Sequence, residues 1–158
     1  VAYDADSARW PDDRDRPLTP DGEKRFRRAA RGLAGLVDAV DVVLSSPFIR
    51  AWRTAELLSS EAGWPKPVAC DALEAGGSPA GVLQALQPRA SEKAVALVGH
   101  EPSMSELVSY LLTADTTHAQ VEFRKGGVAR LELDEGLHPG TARLVWLLAP
   151  RILRGITA

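Results

Sequence analysis

Lys93-Ala94-Val95-Ala96-Leu97-Val98-Gly99-His100-Glu101-Pro102-Ser103-Met104 decides how the chain is organised. One charge is followed by five apolar side chains in a row. A short apolar run without alternation is the pattern of a strand covered on both faces, as in a parallel sheet. Gly99 ends the run. Pro102 opens a helical pattern to Leu112, with Met104, Leu107, Val108 and Leu111 on one side as core residues. Strand, turn and helix in succession form the unit of an open α/β sheet. Ligands of such sheets bind at the carboxyl ends of strands, beside helix N-termini. His100 stands at that place.

The same unit occurs earlier, in Asp41-Val42-Val43-Leu44-Ser45-Ser46-Pro47-Phe48-Ile49-Arg50-Ala51-Trp52-Arg53-Thr54. Asp41 to Ser45 reads as a buried strand and Phe48 to Ala62 as a helix stopped by Gly63. Peptide N–H groups at a strand-to-helix junction lack partners, and the helix dipole there favours an anion. Arg50 falls in the first helical turn and can aim its guanidinium at that anion, with Arg53 one turn on. These features fit two descriptions. One is a phosphate site built from Ser46, Arg50 and His100. The other is an ordinary junction with surface arginines and a capping or packing histidine.

Outward from these units the chain alternates helix and strand. Thr19 caps a helix whose first position is Pro20, and Phe26, Ala29, Ala30, Leu33 and Val37 recur at helical spacing. Lys24, Arg25, Arg27, Arg28 and Arg31 lie opposite, as a solvated face. Pro67 to Cys70 is predicted as a short strand and Ser78-Pro79 as the start of a helix to Pro88. Val128 to Leu133 and Arg143 to Leu148 are predicted as two closing antiparallel strands, with a turn around Gly136 to Gly140. Glu74 lies in a loop, where a carboxylate near a phosphate serves as general acid or base, or is simply solvated. Arg16 precedes Pro17 and is expected to be extended, either reaching a pocket at the sheet edge or solvated. His118 and His138 read as loop or surface residues, and the three histidines form no metal pattern. The expected fold is a three-layer α/β/α domain with a mostly parallel central sheet.

The 158 residues suffice for one domain with a proper core. A net charge of -2 points to neither nucleic acid nor a membrane surface as partner. Arginine makes up 15 of the 19 basic residues, which fits coding bias or a need for bidentate phosphate contacts. The single cysteine, Cys70, allows no internal disulfide, fits a reducing compartment and reads as a small buried residue. No apolar run reaches membrane-spanning length, and Val1 to Asp21 is polar, unlike a secretory signal. A cytoplasmic monomer is expected.

Arg16-Pro17-Leu18-Thr19-Pro20-Asp21-Gly22, Ser45-Ser46-Pro47-Phe48-Ile49-Arg50-Ala51 with Thr54-Ala55, Leu73-Glu74, Val98-Gly99-His100-Glu101-Pro102 and Lys125-Gly126-Gly127-Val128-Ala129 follow one another in order. Together they resemble the histidine phosphatase (phosphoglycerate mutase-like) superfamily, and most of all its short SixA-type phosphohistidine phosphatases. The resemblance runs from about Arg16 to Leu148. It implies a phosphoglycerate mutase-like fold and hydrolysis of a phosphohistidine on a protein through a phosphohistidine enzyme intermediate. Arg50 and His100 would belong to a cationic cradle around the phosphoryl group, Arg16 would add a phosphate contact, and Glu74 would stand where larger relatives place a proton donor. No metal or other cofactor is implied. The family's nucleophile is the histidine of an Arg-His motif that closes the first strand. No residue before Arg16 is a histidine, so residues 1–158 are expected to form a single domain that is N-terminally incomplete by roughly ten residues, the length of a short strand and its turn. Two further readings stay open: a broad small-molecule phosphomonoesterase of the same superfamily, and a non-catalytic phosphate-binding module. Only 25 residues separate Glu74 from His100, too few for a lid, and an uncovered pocket suits a protein-borne phosphate. Signal transduction by phosphotransfer proteins is the expected setting.

Overall fold

Val42–Ser45 (β1) is buried at every position. It forms the middle of a three-stranded parallel sheet, between Pro67–Ala69 (β2) and Val95–Val98 (β3). The computed structural model describes residues 1–134 and 136–156. Parallel strands need crossovers, and helices supply them. Ile49–Ala62 (α2) links β1 to β2. Pro79–Leu86 (α3) lies between β2 and β3, and Ser103–Thr113 (α4) follows β3. Pro20–Ala34 (α1) precedes the sheet.

Local chemistry sets the helix limits. The Thr19 hydroxyl accepts a bond from the Gly22 amide at 2.9 Å, and Pro20 occupies the first helical position. Ser78 caps α3 through the Gly81 amide at 3.1 Å. Gly63 ends α2 with φ of 70°, a left-handed conformation that costs glycine little.

Two apolar clusters, one on each side, make the three layers. Val42 and Leu44 of β1 pack with Leu73, with Val82, Leu83 and Leu86 of α3, and with Leu107 and Leu111 of α4. Ala29, Ala30 and Leu33 of α1, Leu58 of α2 and Leu153 form the second cluster, with Val98 of β3 against it. Leu153 ends the short helix Pro150–Leu153 (α5). Each large side chain buried in this way contributes about 1.5–3 kcal/mol.

Val128–Glu132 (β4) and Arg143–Leu148 (β5) pair antiparallel in a sheet of their own. The parallel sheet therefore has three strands, and the closing pair stands beside it. This corrects the expectation that β3 is covered on both faces, since all four of its residues are only half-buried. Among the described residues, β3 pairs with β1 alone and β4 with β5 alone. Both strands line one cavity of about 1160 Å³, which extends to Arg50 and His100. Lys93 and Ala94 lie outside β3, and their amides donate to the Asp41 carboxylate at 2.7 and 2.8 Å.

The basic face of α1 is not merely solvated. Arg27 and Arg31 both bond Glu61 of α2. Arg53, one turn on from Arg50, pairs with Glu23 of α1 and Glu56. These ion pairs hold α1 against α2. Among the described residues no helix is long and apolar enough to cross a membrane.

Gly32 reports on how closely α1 meets α5. A Cβ built there would stand 1.9 Å from the Leu153 carbonyl oxygen. Gly→Ala inside a helix ordinarily stabilises by about 1 kcal/mol. Gly32→Ala is expected to destabilise instead, by about 1–3 kcal/mol through overpacking, read as a lower urea midpoint at unchanged m.

Candidate functional site

The register of β1 and β3 builds the site. Ser45 lies opposite Val98, so both strands end at the same edge. The Ser46 amide continues the ladder by donating to the Val98 carbonyl at 2.9 Å. Beyond that bond the chains diverge, Ser46-Pro47-Phe48 into α2 and Gly99-His100-Glu101 into α4. Gly99 allows the close approach of α4, since a Cβ there would meet Met104 Sδ at 2.7 Å.

Ser46 and His100 meet at this edge. Ser46 is fully buried, and its Oγ lies 2.9 Å from His100 Nε2. The same Oγ accepts the Phe48 amide at 3.3 Å. The amides of Ser46 and Phe48 are therefore bonded within the protein. The expectation that free backbone N–H groups would greet an anion fails at these two residues, and side chains carry the polarity instead. The Phe48 ring packs against the His100 ring, centroids 4.8 Å apart and planes tilted by 52°. Phe48 also lies beneath two guanidinium groups, Arg50 at 5.1 Å and Arg14 at 5.3 Å.

Arg50 and Arg16 converge on Asp13, in a short 3-10 turn over Asp13–Asp15. Asp13 Oδ2 accepts from Arg50 Nη2 at 2.7 Å, and the Asp13 carbonyl accepts from Arg50 Nη1 at 2.6 Å. Asp13 Oδ1 accepts from Arg16 Nε at 2.7 Å, and Arg16 Nη1 donates to the Tyr3 carbonyl at 2.7 Å. Both arginine side chains are largely buried, 12% exposed for Arg50 and 17% for Arg16. Each guanidinium has five N–H donors. Three on each remain outside these bonds, free for an oxyanion.

The electrostatics follow from burial and from these neighbours. Burial first, then the Arg50 charge, push the His100 pKa down to about 4, with Asp13 opposing and Arg16 adding to the fall. His100 is therefore neutral near pH 7. Burial also lowers the Arg50 pKa, and the Asp13 charge and hydrogen bond oppose it. Asp13 is held below the usual carboxylate range chiefly by its hydrogen bond to Arg16.

The other predicted residues are placed as follows. Glu74 is half-buried at the end of a 3-10 turn and bonds Arg14 Nη2 at 2.8 Å, outside the set that lines the cavity. Cys70 is half-buried against the α3–α4 cluster. His118 and His138 are exposed and outside the set that lines the cavity. Asp13, Arg14 and Phe48 join the site only through the fold. The i,i+3 spacing of Asp13 and Arg16 was the one sequence signal available, and it does not reach Arg50.

The model of the histidine phosphatase superfamily (branch 1) matches residues 4–74. An uncharacterised protein of Picosynechococcus sp. is 33% identical over 142 residues, 89% of this chain and 82% of the relative. An uncharacterised protein of Mycobacterium tuberculosis is 31% identical over 150 residues, 88% of this chain and 92% of the relative. The chain belongs to the histidine phosphatase superfamily. The structure of the protein histidine phosphatase SixA complexed with tungstate superposes with a TM-score of 0.82 at 27% identity, covering 97% of this chain and 94% of that one. The protein is thus a phosphatase-family hydrolase with the SixA-type, phosphoglycerate mutase-like fold.

The depressed His100 pKa makes a pH prediction with a definite sign. A histidine whose pKa falls on folding stabilises the native state above its unfolded pKa of about 6.5, and this is lost as pH drops toward about 4. After allowance for its partial exposure, the loss should be about 1–2 kcal/mol. Urea unfolding between pH 7 and pH 4.5 should show this decline in the wild type and a clearly flatter profile in His100→Asn.

Proposed function

We propose that the protein hydrolyses a phosphohistidine carried on another protein, through a phosphohistidine enzyme intermediate. The convergence of Arg50, Arg16, Ser46 and His100 at one strand edge carries this reading. An openness to large substrates supports the protein-borne substrate. Most of the 25 residues between Glu74 and His100 lie in α3, a short turn and β3, and only short connections remain, which favours an uncovered site.

In the first step an enzyme imidazole nitrogen attacks phosphorus. The P–N bond to the substrate imidazole breaks, and that ring leaves after taking up a proton. In the second step water attacks phosphorus, the enzyme P–N bond breaks, and orthophosphate departs. The attacking imidazole belongs to the family's Arg-His motif, which no residue from 1 to 15 matches. The residues of this chain supply the cradle. Arg50 and Arg16 offer fixed positive charge to the equatorial oxygens, where charge is spread in the transition state. Neutral His100 adds a single donor or acceptor beside Ser46 Oγ. Glu74 is the candidate proton donor, and its carboxylate bonds Arg14. A phosphoramidate leaves more readily than an alkoxide, so Glu74 matters least. The same reading places the protein in the cytoplasm as a monomer, acting on phosphotransfer proteins of signal transduction.

The test compares substrates for the purified protein. A phosphohistidine-bearing phosphotransfer protein should be preferred over p-nitrophenyl phosphate and sugar phosphates by at least about tenfold in kcat/KM. Arg50→Ala should lower kcat/KM by roughly 10²–10³-fold. Preference for the small esters would select a broad phosphomonoesterase. Phosphate-dependent thermal stabilisation without turnover would select a non-catalytic binding module.

A further inference from the structure

Asp13 sits at the centre of the charge network yet has no part in the reaction scheme above. Two guanidinium groups brought to one place repel each other, and each long side chain is free to swing. Asp13 acts against both effects at three points. Its two carboxylate oxygens reach different arginines, Oδ1 to Arg16 Nε and Oδ2 to Arg50 Nη2. Its carbonyl oxygen takes a second donor from Arg50. Arg16 is fixed at a second point by the Tyr3 carbonyl. Each guanidinium plane is thus defined by two bonds. The turn that presents Asp13 is itself held, since Asp12 Oδ1 accepts the Arg14 amide at 2.9 Å. Arg14, next in sequence, ties the turn to Glu74.

We propose that Asp13 is a positioning residue that braces Arg16 and Arg50 so that their remaining N–H donors address one phosphoryl group. This rests on the phosphate reading of the site. A rival role makes the opposite prediction. If the Asp13 carboxylate merely occupied the place of the anion, removing it would add one unit of positive charge and tighten anion binding. Under the brace, removal weakens binding despite that added charge, because charge-assisted bidentate contacts depend on orientation.

Orthophosphate is titrated calorimetrically at pH 7.5 and fixed ionic strength into wild type, Asp13→Asn, Asp13→Ala and Arg50→Ala. Asp13 is 49% exposed and lies in a surface turn, so both Asp13 variants should keep the wild-type far-UV spectrum. Asp13→Ala should bind about tenfold more weakly than wild type. Asp13→Asn, which keeps one acceptor, should fall between them. Equal or tighter binding by Asp13→Ala, or by Asp13→Asn if the alanine variant is unstable, overturns the brace and leaves the phosphate reading standing. A wild type that fails to bind, or an Arg50→Ala variant that binds as well as wild type, overturns the phosphate reading and the brace with it.

Discussion

The bond from the Ser46 amide to the Val98 carbonyl is the constraint on which the site depends. It extends the parallel pairing of β1 and β3 by one residue past the strand ends. A one-residue slip would exchange the faces of Val42 and Leu44 with those of Val43 and Ser45, and would set a serine where the α3–α4 cluster takes a leucine. The register is therefore fixed by the core, and the core fixes where the two chains part. Ser46 Oγ and His100 Nε2 come within 2.9 Å as a consequence of strand pairing, before any functional contact is considered.

The arginines are placed differently. Arg50 comes from the first turn of α2, whose direction is set by packing of Ala51, Ala55 and Leu58. Its side chain then depends on a surface turn 37 residues away. The site thus has a rigid half, made of Ser46, Phe48 and His100, and a charged half held by ion pairs. Elsewhere Glu61 takes Arg27 and Arg31, and Glu23 takes Arg53. These pairings join α1 to α2, whereas Arg16 and Arg50 meet at Asp13.

The elements were legible because their signals are local. Apolar runs mark β1 and β3, Thr19 and Ser78 cap helices, and Gly63 ends one. Ser46, Arg50 and His100 were legible as a group because each stands at a strand-to-helix junction. Partnerships across the fold were not. Asp13 meets Arg50 and Arg14 meets Glu74 across 37 and 60 residues, and exposed charges have no periodicity that records such distances. The half-burial of β3 was hidden for a related reason. An apolar run states that a strand wants cover, and it does not state how many neighbours provide it. Free amides were expected at the Ser46–Phe48 junction, and the serine hydroxyl and the neighbouring strand take them up.

The central claim is that one oxyanion is held jointly by Arg50, Arg16 and His100, while buried Ser46, predicted as a phosphate contact, instead orients the His100 ring. An anomalous-difference map of the protein crystallised with tungstate, an analogue of phosphate, tests it directly. The account predicts a single dominant peak within hydrogen-bonding reach of Arg50, Arg16 and His100 Nδ1 at the carboxyl edge of β1 and β3, since Nε2 is bonded to Ser46. Tungstate bound instead along Lys24 and Arg28 of α1, with no peak at that edge, would contradict it.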